Sequence, residues 1–246
     1  MSFLDQSHPV LRTPGSHEPN FAYFVARHDT EGQIWVERFS LPQHIAITAT
    51  TTRALKLLRN RQMADGLREL DAAAEALCDV KRSDPDIFHT LQRWYFGALA
   101  YYYYCREEFS EAEQCLDAAH HEVREAIELR PFLLPLAPHC YDFWIQRVRI
   151  VRNQRRWNEM WHLVDIARQV FTGERPFCRL DDGTAIDFSA LKTYYESMAP
   201  FSEEEAKPLR SVFDPVTRRR LMNLDLAEAF AMPGFVIPYR PLAPAT

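Results

Sequence analysis

Three large residues, Met63, Phe109 and Trp157, stand 46 and 48 residues apart, and the residues around them repeat in register. Nine positions after Leu57, Tyr103 and Val151 come Gly66, Ala112 and Met160. Four further on come Leu70, Leu116 and Val164, and three beyond those an alanine each time: Ala73, Ala119 and Ala167. Small residues recur where two helices must approach closely and large ones where a gap must be filled. Apolar spacing around these points predicts three helix pairs: 48–60 with 64–80, 87–106 with 110–129, and 139–153 with 158–171. The prolines of 131–138 break the chain between the second and third pairs.

The middle pair carries the pattern most fully. Phe96, Leu99, Ala100 and Tyr103 precede a break at Glu107 and Glu108, and Phe109, Ala112, Leu116 and Ala119 follow. This order resembles a unit of the tetratricopeptide repeat, whose signature runs aromatic, leucine, small residue and tyrosine, then small and large residues on the partner helix. The resemblance covers about 47–171 and departs from the family at Thr50, Arg53, Arg147 and Met160. Its period exceeds the family's usual length of about 34 residues. It implies a mainly α fold, an α-solenoid of antiparallel helix hairpins.

Outside that region the sequence predicts an extended arm over 1–20, rich in Pro, Gly and Ser, and a β-hairpin over 21–42. Apolar stretches at 21–27 and 33–39 would be its strands, and Gly32 its turn. The helical repeat domain spans 43–175. The remaining 176–246 reads as a mixed region capping the last repeat, with small flanking β elements. A second hairpin is expected around Asp181, Asp182 and Gly183, then a helix over 189–198. Further helices open at Ser202, which with Glu205 forms a capping box, and at Asp214 and Pro215. An extended tail over 235–242 follows.

Composition narrows the function. A net charge of −5 gives no basic footprint for nucleic acid, and the triplet Arg218, Arg219 and Arg220 reads as a solvated helix face. Seven glycines, unclustered, argue against phosphate loops and dinucleotide fingerprints. The five cysteines are odd in number, with no C-x2-C pair, as expected of reduced thiols in a cytoplasmic protein. No apolar run is long enough to span a bilayer, and no secretory signal is visible. No cofactor is called for.

The resemblance implies that the first helix of each pair lines a concave groove. The matching positions are Trp94, Gly97, Ala98 and Tyr101 in the middle unit, with Asp142, Ile145, Arg149, Arg152 and Asn153 in the third. In the first unit they are Thr51, Leu55, Leu58 and Arg59. The partner implied is another protein or peptide, acidic and carrying an apolar anchor, since guanidinium groups hold carboxylates in a fork. The role implied is a non-catalytic scaffold, adaptor or regulatory subunit; self-association through the aromatic surface is a second outcome. A different class is marked by Glu113 with His120, and by Glu159 with His162. Their spacing suits ligands of a helical carboxylate-bridged metal site, and resembles haem-oxygenase-like or ferritin-like di-iron oxidases.

Overall fold

A computed structural model describes residues 21–198. The arm over 1–20, the helices expected from Ser202 and Asp214, the arginine triplet at 218–220 and the tail over 235–242 lie outside the described residues. Among those described the chain is mainly helical, with nine α-helices and one two-stranded sheet.

Residues 21–39 are not a hairpin but two helices, α1 (Phe21–His28) and α2 (Thr30–Phe39). Asp29, expected in a turn, caps α2 by accepting the Gly32 N–H at 2.9 Å. The buried positions Gly32, Trp35, Val36 and Phe39 follow a helical period; strand alternation would have turned Trp35 and Glu37 to the same side, yet Glu37 is exposed. Gly32 is helical and serves close approach. A Cβ there would enter the van der Waals envelope of the Val25 carbonyl oxygen and lie 3.0 Å from its carbon.

The six expected helices are present: α3 (Pro42–Arg59), α4 (Met63–Ser83), α5 (Pro85–Cys105), α6 (Phe109–Leu129), α7 (His139–Asn153) and α8 (Trp157–Thr172). Pro42 and Pro85 sit in the first turn of α3 and α5, where a missing N–H costs no helical bond. The three pairs α3–α4, α5–α6 and α7–α8 turn in the same way. Arg61, Glu107 and Arg155 adopt left-handed backbone at φ 62°, 63° and 59°. Each turn closes with the same two bonds. Arg61 N–H donates to Leu58 O (3.0 Å) and Gln62 N–H to Leu57 O (3.0 Å); Glu107 to Tyr104 (3.1 Å) and Glu108 to Tyr103 (3.0 Å); Arg155 to Arg152 (2.9 Å) and Arg156 to Val151 (3.0 Å). This is the Schellman arrangement, which satisfies carbonyls that a helix end would leave open. The internal repeat is therefore present in the backbone as well as in residue type.

Packing explains the small residues. A Cβ on Gly66 would lie 2.6 Å from Leu58 Cδ2, so α3 and α4 meet there at closest range. Ala112 and Met160 are fully buried at the equivalent positions, as are Leu70, Ala119 and Ala167. Ala54, Leu58, Leu70, Ala98 and Tyr102 form one apolar cluster where α5 packs against the first pair. A larger cluster runs from Trp35 through Leu116 and Val148 to Tyr194. The proline-rich link is a 3-10 helix (Pro131–Leu136) that buries Phe132, Leu133, Pro135 and Leu136.

After α8, Gly173 at φ 85° ends the helix. The expected hairpin is β1 (Cys178–Arg179) paired antiparallel with β2 (Ala185–Ile186), with Gly183 at φ 87° in its turn. Asp187 then caps α9 (Phe188–Glu196) through the Ala190 N–H at 2.9 Å. This unit is fastened back on the repeats: Tyr194 donates to Phe132 O at 2.7 Å, and Glu128 accepts the Asp181 N–H at 2.7 Å. No helix among the described residues is long and apolar enough to cross a membrane.

Candidate functional site: the valley between α5 and α7

Along its length α5 packs chiefly on α3, α4 and α6, and α7 chiefly on α6 and α8. Long side chains link α5 to α7, and we read the space between the two helices as a candidate valley. At its C-terminal end Asn153 Nδ2 donates to Tyr104 Oη at 2.8 Å, and Arg152 reaches the same oxygen at 3.4 Å. Arg152 is buried and holds Asn153 Oδ1 through Nε (3.1 Å) and Nη2 (2.9 Å). Tyr104 stacks on Tyr101 with ring centroids 6.0 Å apart. Burial raises the Tyr101 phenol above its ordinary pKa, against the pull of the nearby Arg59 charge. Arg61 acts in the same way on Cys105. The ends of α3, α5 and α7 thus form one row: Arg59 and Arg61, then Tyr101 and Tyr104, then Arg152 and Asn153.

Arg59, Arg61 and Arg155 are exposed at the last turns of α3 and α7 or just beyond, and none has a carboxylate partner among the described residues. Other arginines are neutralised: Arg53 by Glu69 (3.0 Å), Arg106 by Glu108 (2.8 Å), Arg156 by Glu159. Along α5, Trp94, Gly97 and Tyr101 share one face by helical spacing. A Cβ on Gly97 would meet nothing within 4 Å, so an open notch lies between the two aromatics. The Trp94 indole lies under the Arg93 guanidinium at 5.4 Å, and its buried N–H has no hydrogen-bond partner among the described residues.

The far end of the valley is charged and buried. Burial lowers the Arg93 pKa to about 10, with the Asp142 charge opposing the shift. His139, also buried, is pushed below the ordinary imidazole value by desolvation and by Arg93, while Asp142 at 3.4 Å pulls the other way. Arg149 donates to Gln146 Oε1 at 3.1 Å.

Four expected groove positions are corrected. Ala98 is 1% exposed and Ile145 5%, both in the core. Thr51 and Leu58 are likewise fully buried, and Leu55 packs on the cluster that holds Leu58. Ala98 packs with Ala54, Leu58 and Leu70 of the preceding pair, and Ile145 joins the larger cluster, so the faces they share are covered. Trp94, Gly97, Tyr101, Asp142 and Arg149 remain half-buried, Arg59 and Asn153 exposed. Tyr104, Arg61 and Arg155 were missed, although Arg61 and Arg155 occupy the same place in the repeat.

The four metal-ligand candidates do not converge. Glu113 (3.4 Å) and Glu159 both pair with Arg156. His120 is half-buried, lowered by desolvation and hydrogen-bonded to the Phe177 backbone, and His162 is exposed. Among the described residues one trio could reach a common ion, Glu125, Glu128 and Asp181. Arg124 already pairs with Asp181 and lies 3.9 Å from Glu128. No protein-family model matches the chain, and neither a curated protein nor a solved structure matches it.

Proposed function

We propose that this chain is a non-catalytic binding protein, a scaffold, adaptor or regulatory subunit built on tetratricopeptide-like hairpins, and that the α5–α7 valley holds an acidic peptide segment. The observation that carries this reading is the row of unneutralised arginines, Arg59, Arg61 and Arg155, flanking stacked Tyr101 and Tyr104 at the end of a valley notched at Gly97. Guanidinium groups and aromatic rims recognise carboxylates and apolar side chains together. From Gly97 to Tyr104 the helix rises about 10 Å at 1.5 Å per residue. An extended chain covers that in about three residues. The bound segment therefore places its apolar anchor about three residues from its carboxylates.

A display library of random peptides, panned on the whole chain, tests this. Enriched sequences are expected to combine Asp or Glu with one large apolar residue at that spacing, and to bind more weakly as salt rises. Gly97→Leu, which fills the notch, and Arg59→Glu with Arg155→Glu should each weaken binding at least tenfold with the fold intact. The double variant Tyr101→Ala, Arg149→Ala should do the same. Enrichment without acidic residues, or binding indifferent to these variants, refutes the reading.

A further inference from the structure

The turns that follow α3, α5 and α7 share one geometry but not one charge: Arg61, Glu107 and Arg155 are all exposed and all left-handed. The residues beside them are already engaged. Arg106 pairs with Glu108 at 2.8 Å, and Arg156 pairs with Glu159 and donates to Gln154 Oε1 at 2.6 Å. Glu107, like Arg61 and Arg155, has no oppositely charged partner among the described residues. The three turns stand side by side in chain order. Leu58, Tyr104 and Arg152, whose carbonyls accept the N–H groups of these residues, are linked in turn: Leu58 shares an apolar cluster with Tyr102, and Arg152 reaches Tyr104 Oη at 3.4 Å. The row therefore reads positive, negative, positive, with Glu107 and Arg155 following the two helices that border the valley. Packed helices stand about 10 Å apart, a distance that an extended chain covers in about three residues.

We propose that Glu107 is a specificity-determining residue for the acidic segment assigned to the valley, an inference that rests on that reading. It selects segments in which one lysine or arginine stands about three residues from an Asp or Glu on either side, the carboxylates meeting Arg61 and Arg155. A uniformly acidic segment sets a carboxylate against Glu107 and is turned away. Exposed charge pairs add little attraction in water, while like charges brought together penalise the wrong partner. Glu107 thus contributes discrimination more than strength, and does so by repulsion. Its position also accepts a positive side chain: Arg61 and Arg155 hold the equivalent place at φ 62° and 59°, against 63° for Glu107.

The test pans one random-peptide display library on the whole chain and on its Glu107→Arg variant in parallel, with circular dichroism as the check on folding. On the unsubstituted chain, enriched peptides should carry Lys or Arg between two acidic residues at that spacing. On Glu107→Arg the same position should turn to Asp or Glu while the flanking acidic residues stay. Glu107→Gln should lose the preference without reversing it. A synthetic copy of an enriched peptide, with its basic residue changed to glutamate, should bind the unsubstituted chain about threefold more weakly and Glu107→Arg about threefold more tightly. Enrichment for acidic residues with no basic preference, the same on both chains, overturns this inference and leaves the acidic-segment reading standing. Enrichment without acidic residues on either chain overturns both. Should Glu107→Arg fail to fold, Glu107→Gln decides the case: a basic preference that persists there overturns the inference, and its loss supports it.

Discussion

Replacing Gly32 by alanine separates two physical effects that act in opposite directions. In an open helix the substitution stabilises by about 1 kcal/mol, because glycine loses more backbone freedom on folding. At Gly32 the added methyl meets the backbone carbonyl of Val25, which no side-chain rotation can move aside. α1 must then shift off α2, loosening the packing around Val25 and Trp35, 0% and 1% exposed. Overpacking of this kind costs about 1–3 kcal/mol, and partial exposure of an apolar side chain adds about 1 kcal/mol. After the intrinsic gain the net loss is about 1–3 kcal/mol. For a chain of this size that lowers the thermal midpoint by about 2–12 °C. Gly97→Ala is the matched control, because its methyl meets nothing within 4 Å; it should raise the midpoint by about 2–4 °C. Far-ultraviolet circular dichroism of both variants, with amide exchange over 25–39, reads the result. A Gly32→Ala protein as stable as the unsubstituted chain would refute close approach as the reason for that glycine.

Two further outcomes follow from buried charge. The Asp86 carboxylate, 5% exposed, accepts from Arg38 (2.7 Å), Arg130 (3.0 Å) and its neighbour's Ile87 N–H (3.0 Å), tying α2 and the end of α6 to the start of α5. Asp86→Asn should lower stability by about 1–2 kcal/mol, a figure reduced because both arginines are partly solvated; an unchanged denaturant midpoint would show that the ion pairs contribute nothing. His139 and His120 are lowered by burial, His139 facing Arg93 and Asp142, and His120 facing Arg147, Arg124, Asp117 and the Phe177 backbone. Below the unfolded imidazole value of about 6.5 the unfolded chain takes up protons that the folded chain refuses. Stability should therefore fall between about pH 6.5 and 5, and His139→Gln should flatten the slope in denaturation curves across that window.

The six helices from Pro42 to Thr172 were legible because small and large residues mark their turns three times over. The hairpin at Gly183 was legible for a local reason, its aspartates and glycine. Residues 21–39 were misread because Trp35, Val36 and Phe39 are strand formers, and the segment from Asp29 to Gly32 serves equally as a turn or a helix cap. The distinction lies in where the side chains are buried, which depends on α1 and the rest of the core. The valley was legible only in part. Trp94, Gly97 and Tyr101 followed from position in the unit, whereas Ala98 and Ile145 are buried by neighbouring hairpins that the pattern of a single unit does not specify. Tyr104 joined the site through its bond to Asn153, 49 residues away, a pairing without any local signal.

Each hairpin bends at a residue other than glycine, Arg61, Glu107 or Arg155, in a conformation that costs an L-residue about 1–2 kcal/mol. The bend is imposed by the closing bonds of the preceding helix, so the side chain there does not determine the path of the chain. Positive and negative groups already occupy this corner with the same backbone course. The charge displayed at the mouth of the valley can thus be rewritten one corner at a time, while the frame that presents it keeps its shape.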